Sequence, residues 1–349
     1  MKHSFLLFFF LIYLIICLNP VSAGVRKKSR IFKVLVAGDV MFNWGIRNSK
    51  KILGKKMLGT ELRNVFSEAE VRMINLETPI TTHKEGMQKN KSYIFRAVPE
   101  DISILQELGV NTVFLGNNHA MDYGDTGIKD TFNYLNQYKI RFSGAGINRE
   151  EAYRALKVGP GIKLVSVSGI GPTNLFAGSK SPGVAHLSYP SLKNALKKKR
   201  KSEIFILSCH WGVEYNPEPD KNQRNLAKKL IDAGYDIIVG HHPHIPQGIE
   251  IYKNKLILYS LGNFMFGSRN QYLNHNVIAI LHFKENQLIT CEIIPVFGKF
   301  QEEEHHVFRI LEGQDRDVFF TEYKILCKKL GTNLIIKNNR AYIHFPTAR

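Results

Sequence analysis

The sequence predicts an α/β fold with a mixed two-sheet core flanked by helices, on three observations. Short apolar runs of strand length alternate with helical stretches through residues 31–239, the order that lays helices on sheet faces. Each strand-like run ends in small or polar residues, so candidate site groups fall just past strand carboxyl ends, where open α/β sheets hold ligands. From residue 249 the pattern changes to hairpins, which add antiparallel strands.

Taken in order, residues 31–37 are apolar but for Lys33 and end in Gly38-Asp39, as a strand buried on both faces does. A helix over 61–69 leads to a strand over 71–75, with Glu77 just beyond it. Residues 99–108 read as a helix opened by Pro99 and closed at Gly109. The strand 110–115 then ends in Gly116-Asn117-Asn118-His119. A helix over 125–138, a strand over 163–168 and a helix over 191–201 follow. The strand 204–208 ends in His210-Trp211-Gly212. The helix 222–233 is closed by Gly234, and the strand 236–239 ends in Gly240-His241-His242-Pro243-His244. Two hairpins, 249–252 with 256–260 and 277–283 with 287–295, complete the core.

The expected organisation is a signal peptide over 1–23, a basic linker over 24–30, one large domain over 31–298 and a C-terminal appendage over 299–349. The first segment has a basic start at Lys2, an apolar run over 5–18, and Val21-Ser22-Ala23 placed for cleavage. That run is shorter than the roughly 20 residues a spanning helix needs, so an exported protein of the periplasm or cell envelope is expected. The appendage holds the acidic patch Glu302-Glu303-Glu304, a helix near 322–330 and a hairpin around Asn338-Asn339. The three cysteines beyond the leader, Cys209, Cys291 and Cys327, have no disulfide spacing and read as buried apolar groups.

Formal net charge is +18, with dense runs at 26–30 and 197–201. Such runs form solvated basic faces or attract an anionic polymer. No nucleic acid is expected as a partner, because no helix-turn-helix, RNP or zinc-finger pattern accompanies the charge.

The chemistry-bearing groups are spread over five strand ends. His242 and His244, at i and i+2 on what reads as an extended loop, project to one side and suit a metal centre. In Asn117-Asn118-His119, with Asp122 on the next turn, an Asn oxygen is an acceptable hard ligand and a His can move a proton; alone, the same residues make an ordinary turn. Asp39 and Glu77 each place one carboxylate at a strand end, as a two-cation site requires, although singly each reads as a cap or surface acid. His210 adds a nitrogen, while alternation turns Cys209 toward the core.

The ordered set Gly38-Asp39-Val40-Met41, Asn75-Leu76-Glu77, Asn117-Asn118-His119 through Gly124, His210-Trp211-Gly212-Val213-Glu214, Gly240 through His244, and Tyr259-Ser260-Leu261-Gly262-Asn263-Phe264 resembles the poly-γ-glutamate capsule synthesis (CapA-type) family. The resemblance runs over residues 32–266. It implies a branch of the calcineurin-like metallophosphoesterases, hence a four-layer α/β/β/α sandwich of two mixed sheets with two divalent cations (Mn, Fe or Zn) at the strand ends. Carried over, Asp39 would ligate one cation, Glu77 would bridge, Asn118 would ligate the second, and His210, His242 and His244 would complete the set. His119 would be the proton donor beside the cations and His241 a spectator; Asn75, Asp122 and Asn263 are further candidates. The chain departs from the wider superfamily at Met41, where a His is usual, at Glu77, where an Asp is usual, and at Ala120, where an acid is usual. The expected function is a metal-dependent hydrolase or transferase acting on poly-γ-glutamate. The alternatives are a polymer-binding factor of a membrane synthase complex and a general metallophosphoesterase.

Overall fold

The computed structural model describes residues 30–85, 91–267, 275–297 and 307–346. The expected signal peptide and nearly all of the basic linker lie outside the described residues, as does the Glu302-Glu303-Glu304 patch. The chain first builds β1 (Phe32–Val40), α1 (Ile46–Leu53), α2 (Thr60–Ser67), β2 (Val71–Leu76), α3 (Ile102–Glu107), β3 (Thr112–Phe114), α4 (Gly124–Gln137), β4 (Arg141–Ser143) and β5 (Ala145–Gly146). It continues with α5 (Arg149–Ala152), β6 (Leu156–Gly159), β7 (Ile162–Ser168), β8 (Gly183–Val184), α6 (Tyr189–Ala195), β9 (Ile204–His210), α7 (Lys221–Ala233) and β10 (Ile237–His241). The hairpin region adds β11 (Pro246–Tyr252), β12 (Lys255–Leu261), β13 (Asn263–Met265), β14 (His275–Lys284) and β15 (Gln287–Phe297). β16 (Arg309–Ile310), α8 (Gly313–Lys329), β17 (Ile335–Lys337) and β18 (Arg340–His344) close the chain.

Two large mixed sheets result. The first has the order β17-β18-β15-β14-β1-β2-β3-β4, with β13 beside β1 and β16 beside β15. The second has the order β11-β12-β10-β9-β7-β6, parallel in its centre and antiparallel at both edges.

Strand alternation divides the apolar residues among three interlayer cores. On β1, Leu35 and Ala37 join Leu62, Phe66, Leu105 and Ile128 beneath the helices α2–α4. Val34 and Val36, on the opposite face, meet Leu164, Ile206, Val239 and Leu258 of the second sheet. On that sheet's far face, Leu207, Cys209 and Ile238 pack with Leu192, Ala227 and Leu230 of α6 and α7. The order is helix, sheet, sheet, helix, the four-layer α/β/β/α sandwich. The run is apolar from Val34 to Ala37 because both of its faces are covered there. Cys209, Cys291 and Cys327 are all free and buried.

The stretch beyond residue 306, expected as part of an appendage, is built into this body. β18 pairs with β15 and β17 with β18, extending the first sheet. The helix expected near 322–330 is longer, Gly313–Lys329, and sends Phe319, Phe320, Tyr323 and Cys327 into the core between the sheets. Its exposed face carries much of its charge, so a pattern read from residue 322 onward catches only its second half. Replacing Phe320, 2% exposed, by alanine is expected to cost about 3–5 kcal/mol, measurable as a lowered denaturant midpoint.

The feature that positions the site is a change of partner along β1. Residues Phe32–Val36 pair antiparallel with β14, whereas Asp39 and Val40 pair with Asn263 and Met265 of β13. The register on the β2 side shifts between Val36 and Asp39. Gly38 sits at this shift with its backbone against Gly262, so close that a Cβ would lie 1.9 Å from the Gly262 oxygen. The Asp39 and Asn263 segments are therefore held side by side.

Candidate metal centre

The strand ends of both sheets converge on one buried cluster. Asp39, fully buried, accepts a hydrogen bond from Asn75 Nδ2 (2.8 Å) through Oδ1 and one from the His242 backbone N–H (3.2 Å) through Oδ2. His241 Nδ1 lies 3.3 Å from Oδ1 and His244 Nδ1 3.4 Å from Oδ2. Burial raises the carboxyl, but these imidazoles outweigh it and hold Asp39 well below the usual carboxylate range.

Asn75 is fixed in turn by Asn117, whose Nδ2 donates to Asn75 Oδ1 (3.0 Å) and to the Leu76 carbonyl (2.9 Å). Asn117 is thus a brace for its neighbours. His210 Nδ1 lies 3.2 Å from Asn75 Nδ2, and its Nε2 lies 2.8 Å from Asn118 Oδ1 and 3.4 Å from Glu77 Oε1. Three ligand-type atoms, from the ends of β9, β3 and β2, thereby meet at one point.

His242 and His244 reach the cluster by strain and not by extended alternation. Their φ values are 96° and 60°, in the left-handed region that side chains rarely adopt, and the chain kinks so that both rings turn inward, 5.9 Å apart. Burial pushes His242 down to about 3, with the neighbouring His244 acting the same way. His244 is also opposed by burial, but Glu77, Asp39 and a 2.9 Å contact with Asn263 Oδ1 carry it up to about 9. Burial and the charge of His242 hold His210 well below its ordinary value.

His119 stands at the rim. Its Nδ1 lies 2.7 Å from Asp122 Oδ2 and 3.1 Å from Lys91 Nζ, and its ring stacks on Phe95 with centroids 4.0 Å apart. Asp122 also accepts from Lys91 Nζ (2.6 Å) and the Phe95 N–H (2.7 Å), and Lys91 donates to the Asn118 carbonyl (2.7 Å). Burial lowers His119 from its ordinary value against the pull of Asp122. With Nδ1 committed to Asp122, Nε2 is the nitrogen left to exchange a proton.

Several buried polar atoms of this cluster have no hydrogen-bond partner: both Glu77 oxygens, both His241 nitrogens, His242 Nδ1 and Asn263 Nδ2. A fully buried carboxylate with two unsatisfied oxygens is costly unless a cation compensates it. The donor set answers that need. Glu77-His210-His242, Asp39-Glu77-His244 and Glu214-His242-His244 each bring ligand atoms within 4.8 Å of one another and could hold a metal ion. Glu77 is common to the first two, which is where a bridging group would stand.

His241, expected as a spectator, is buried against Asp39 as the last residue of β10 and belongs to none of the three ligand groups. Sequence reasoning missed two participants. Glu214 joins His242 and His244 from an exposed loop. Lys91 lies in an irregular segment where no periodicity marks it. Met41, where the resemblance led a His to be expected, is fully buried with Phe95 and Phe266, its sulfur accepting from the Asn43 N–H (3.1 Å).

A helix–sheet–sheet–helix sandwich with carboxylate, amide and imidazole groups gathered at its strand ends defines a four-layer α/β/β/α class with a candidate metal centre. Within that class, the chain belongs to the bacterial capsule synthesis protein PGA_cap family, whose model matches residues 33–268. It is 30% identical over 268 residues to the PGA biosynthesis protein CapA of Bacillus subtilis (strain 168), covering 74% of this chain and 70% of that protein. It is 28% identical over 290 residues to the capsule biosynthesis protein CapA of Bacillus anthracis, covering 80% of this chain and 70% of that protein. Among solved structures, a hypothetical protein from Thermus thermophilus aligns over 76% of this chain and 98% of its own, with a TM-score of 0.48 and 15% identity.

Proposed function

We propose that this chain is an exported poly-γ-glutamate capsule synthesis protein that uses two divalent cations to hydrolyse or transfer amide bonds of the polymer. The observation that carries the reading is Glu77, a fully buried carboxylate with no hydrogen bond to either oxygen, shared by two three-residue ligand sets. Kinship with two CapA proteins named for capsule or PGA biosynthesis supports the polymer.

Asp39, Glu77 and His244 would hold one cation and Glu77, Asn118, His210 and His242 the other, with Mn, Fe or Zn as the metal. When bound, the cations supply positive charge that polarises a carbonyl or phosphoryl oxygen. Asp122 orients His119 through Nδ1, and His119 moves a proton at the departing group through Nε2. Lys91 holds Asp122 in place. The buried walls limit access of bulk water to the polar cluster. In the cell envelope the chain would work beside a membrane synthase complex.

Elemental analysis tests this directly. The wild-type protein is expected to carry about two divalent ions per chain, and His242→Ala and Asn118→Ala to carry fewer. Purified wild type that takes up no tightly held metal after supplementation removes the reading.

Met41 favours a second reading. With a thioether turned into an aromatic cluster where the superfamily has a nitrogen ligand, the protein would hold the anionic polymer for assembly without cutting it. Salt-sensitive polymer binding by a protein that cleaves neither poly-γ-glutamate nor a chromogenic phosphoester, metal-loaded or not, would decide for it.

A further inference from the structure

Large aromatic side chains stand in solvent beside the centre. Trp44 is 45% exposed and Tyr93 60% exposed. The Trp44 ring packs edge-on against Tyr93 (5.5 Å), Phe95 (5.2 Å) and Phe266 (5.9 Å). Phe95 in turn stacks on His119, and the Phe266 ring lies 4.7 Å from that of His244. One continuous aromatic cluster therefore begins in water at Trp44 and Tyr93 and runs through the buried Phe95 and Phe266 to two imidazoles of the site. Trp44 is also held at φ 52°, a left-handed conformation that a non-glycine residue keeps only where its surroundings impose it. The backbone accepts strain at the residue whose indole it displays.

The chain leaving this surface is basic. Residues 46–57 contain Arg47, Lys50, Lys51, Lys55 and Lys56 and no Asp or Glu. Arg47 and Lys50 are paired with Asp101 and Glu107, whereas Lys51, Lys55 and Lys56 are exposed. Aromatic faces cover methylene groups well, and ammonium groups draw carboxylates.

We infer that the Trp44–Tyr93 ridge, with the basic α1 segment behind it, is the subsite that seats an extended polyanionic chain with aliphatic spacers as it enters the metal centre. A γ-linked glutamate chain, which alternates short methylene runs with free carboxylates, has this chemistry. The inference rests on the function proposed above. It assigns the methylenes to the ridge and the carboxylates to Lys51, Lys55 and Lys56.

The chain has two tryptophans, and the second, Trp211, is only 3% exposed. Titration of the full-length protein with a γ-linked glutamate oligomer is expected to give a saturable change in tryptophan emission. That change should vanish in Trp44→Phe, with the buried Trp211 emission reporting an intact fold. Tyr93→Ala should weaken binding roughly threefold to tenfold, the size of one lost aromatic contact, and leave metal content unchanged. Lys51→Glu/Lys55→Glu/Lys56→Glu should weaken it further and flatten its salt dependence. No emission change with the oligomer, or a change produced instead by a neutral oligosaccharide, overturns the assignment. The same titration on His242→Ala separates the two claims. Binding that persists there supports the ridge even if the metal reading fails, and wild-type metal without any emission change sinks the ridge alone.

Discussion

Stripping divalent cations from the purified protein is expected to lower its thermal midpoint by on the order of 5 °C, and in Glu77→Gln that drop should largely disappear. The cause lies in one side chain. Glu77 is fully buried with neither oxygen hydrogen-bonded, and burial, reinforced by the charge of Asp39, pushes its carboxyl well above the usual range. Without a cation the protein holds this group protonated or leaves it charged and unsolvated, and either state costs stability. A bound cation offsets that cost and adds its own binding free energy. Glutamine keeps the shape and removes the charge, so the variant loses the response to metal without losing its fold. Calorimetry with and without chelator, followed by addition of Mn²⁺, measures both halves. A wild-type midpoint indifferent to chelator would show that no cation stabilises the pocket.

The largest stability effect is expected at Gly240. A Cβ there would lie 1.8 Å from the Tyr259 carbonyl oxygen and 2.7 Å from Trp211 Nε1. The first is backbone of β12, flanked by β11 and β10 in the second sheet, which cannot yield without breaking the pairing with β10. Gly240→Ala should therefore cost more than about 5 kcal/mol and leave little soluble protein. Gly38→Ala meets the Gly262 oxygen at 1.9 Å, the same atom that accepts the Asp39 N–H at 3.0 Å. Each glycine immediately precedes a segment of the site, so the close approaches that forbid a methyl group are those that bring Asp39 and His242 into range. Soluble yield and circular dichroism melts test the pair, and a stable, normally folded Gly240→Ala would show that β10 and β12 approach less closely than described.

Much of this arrangement is legible in the sequence because strand burial leaves a strong mark. Beyond Lys33, the residues of β1 and β9 are apolar on alternate faces that both happen to be covered, and polar residues gather toward the ends of these strands. That contrast located Asp39, Glu77, Asn118, His210, His242 and His244, and the structure gathers all six. Other parts depend on encounters between distant segments. Nothing around Lys91 signals that it will meet Asp122, and the burial of His241 against Asp39 follows from the packing of one sheet's strand ends on the other's. The route taken by His242 and His244 was also illegible, since positive φ at a non-glycine residue is imposed by tertiary packing. The C-terminal helix was half read because its buried stripe is carried by few residues, Phe319, Phe320, Tyr323 and Cys327, among many charges.

The place of β1 has a consequence for how the molecule is made. The first strand of the body lies in the interior of its sheet, with β2 on one side and β14, together with β13, on the other. One flank can be zipped as soon as β2 is synthesised, but the other waits until the chain has grown past Asn263. A nascent chain stopped before β13 would already contain Asp39, Glu77, Asn118, His210, His242 and His244, yet lack the strands that seal them together. Assembly of the pocket is thus a late, long-range event, slow in the manner of folds dominated by distant contacts. Until β13 and β14 have been added, the open edge of β1 is the surface most in need of protection from self-association.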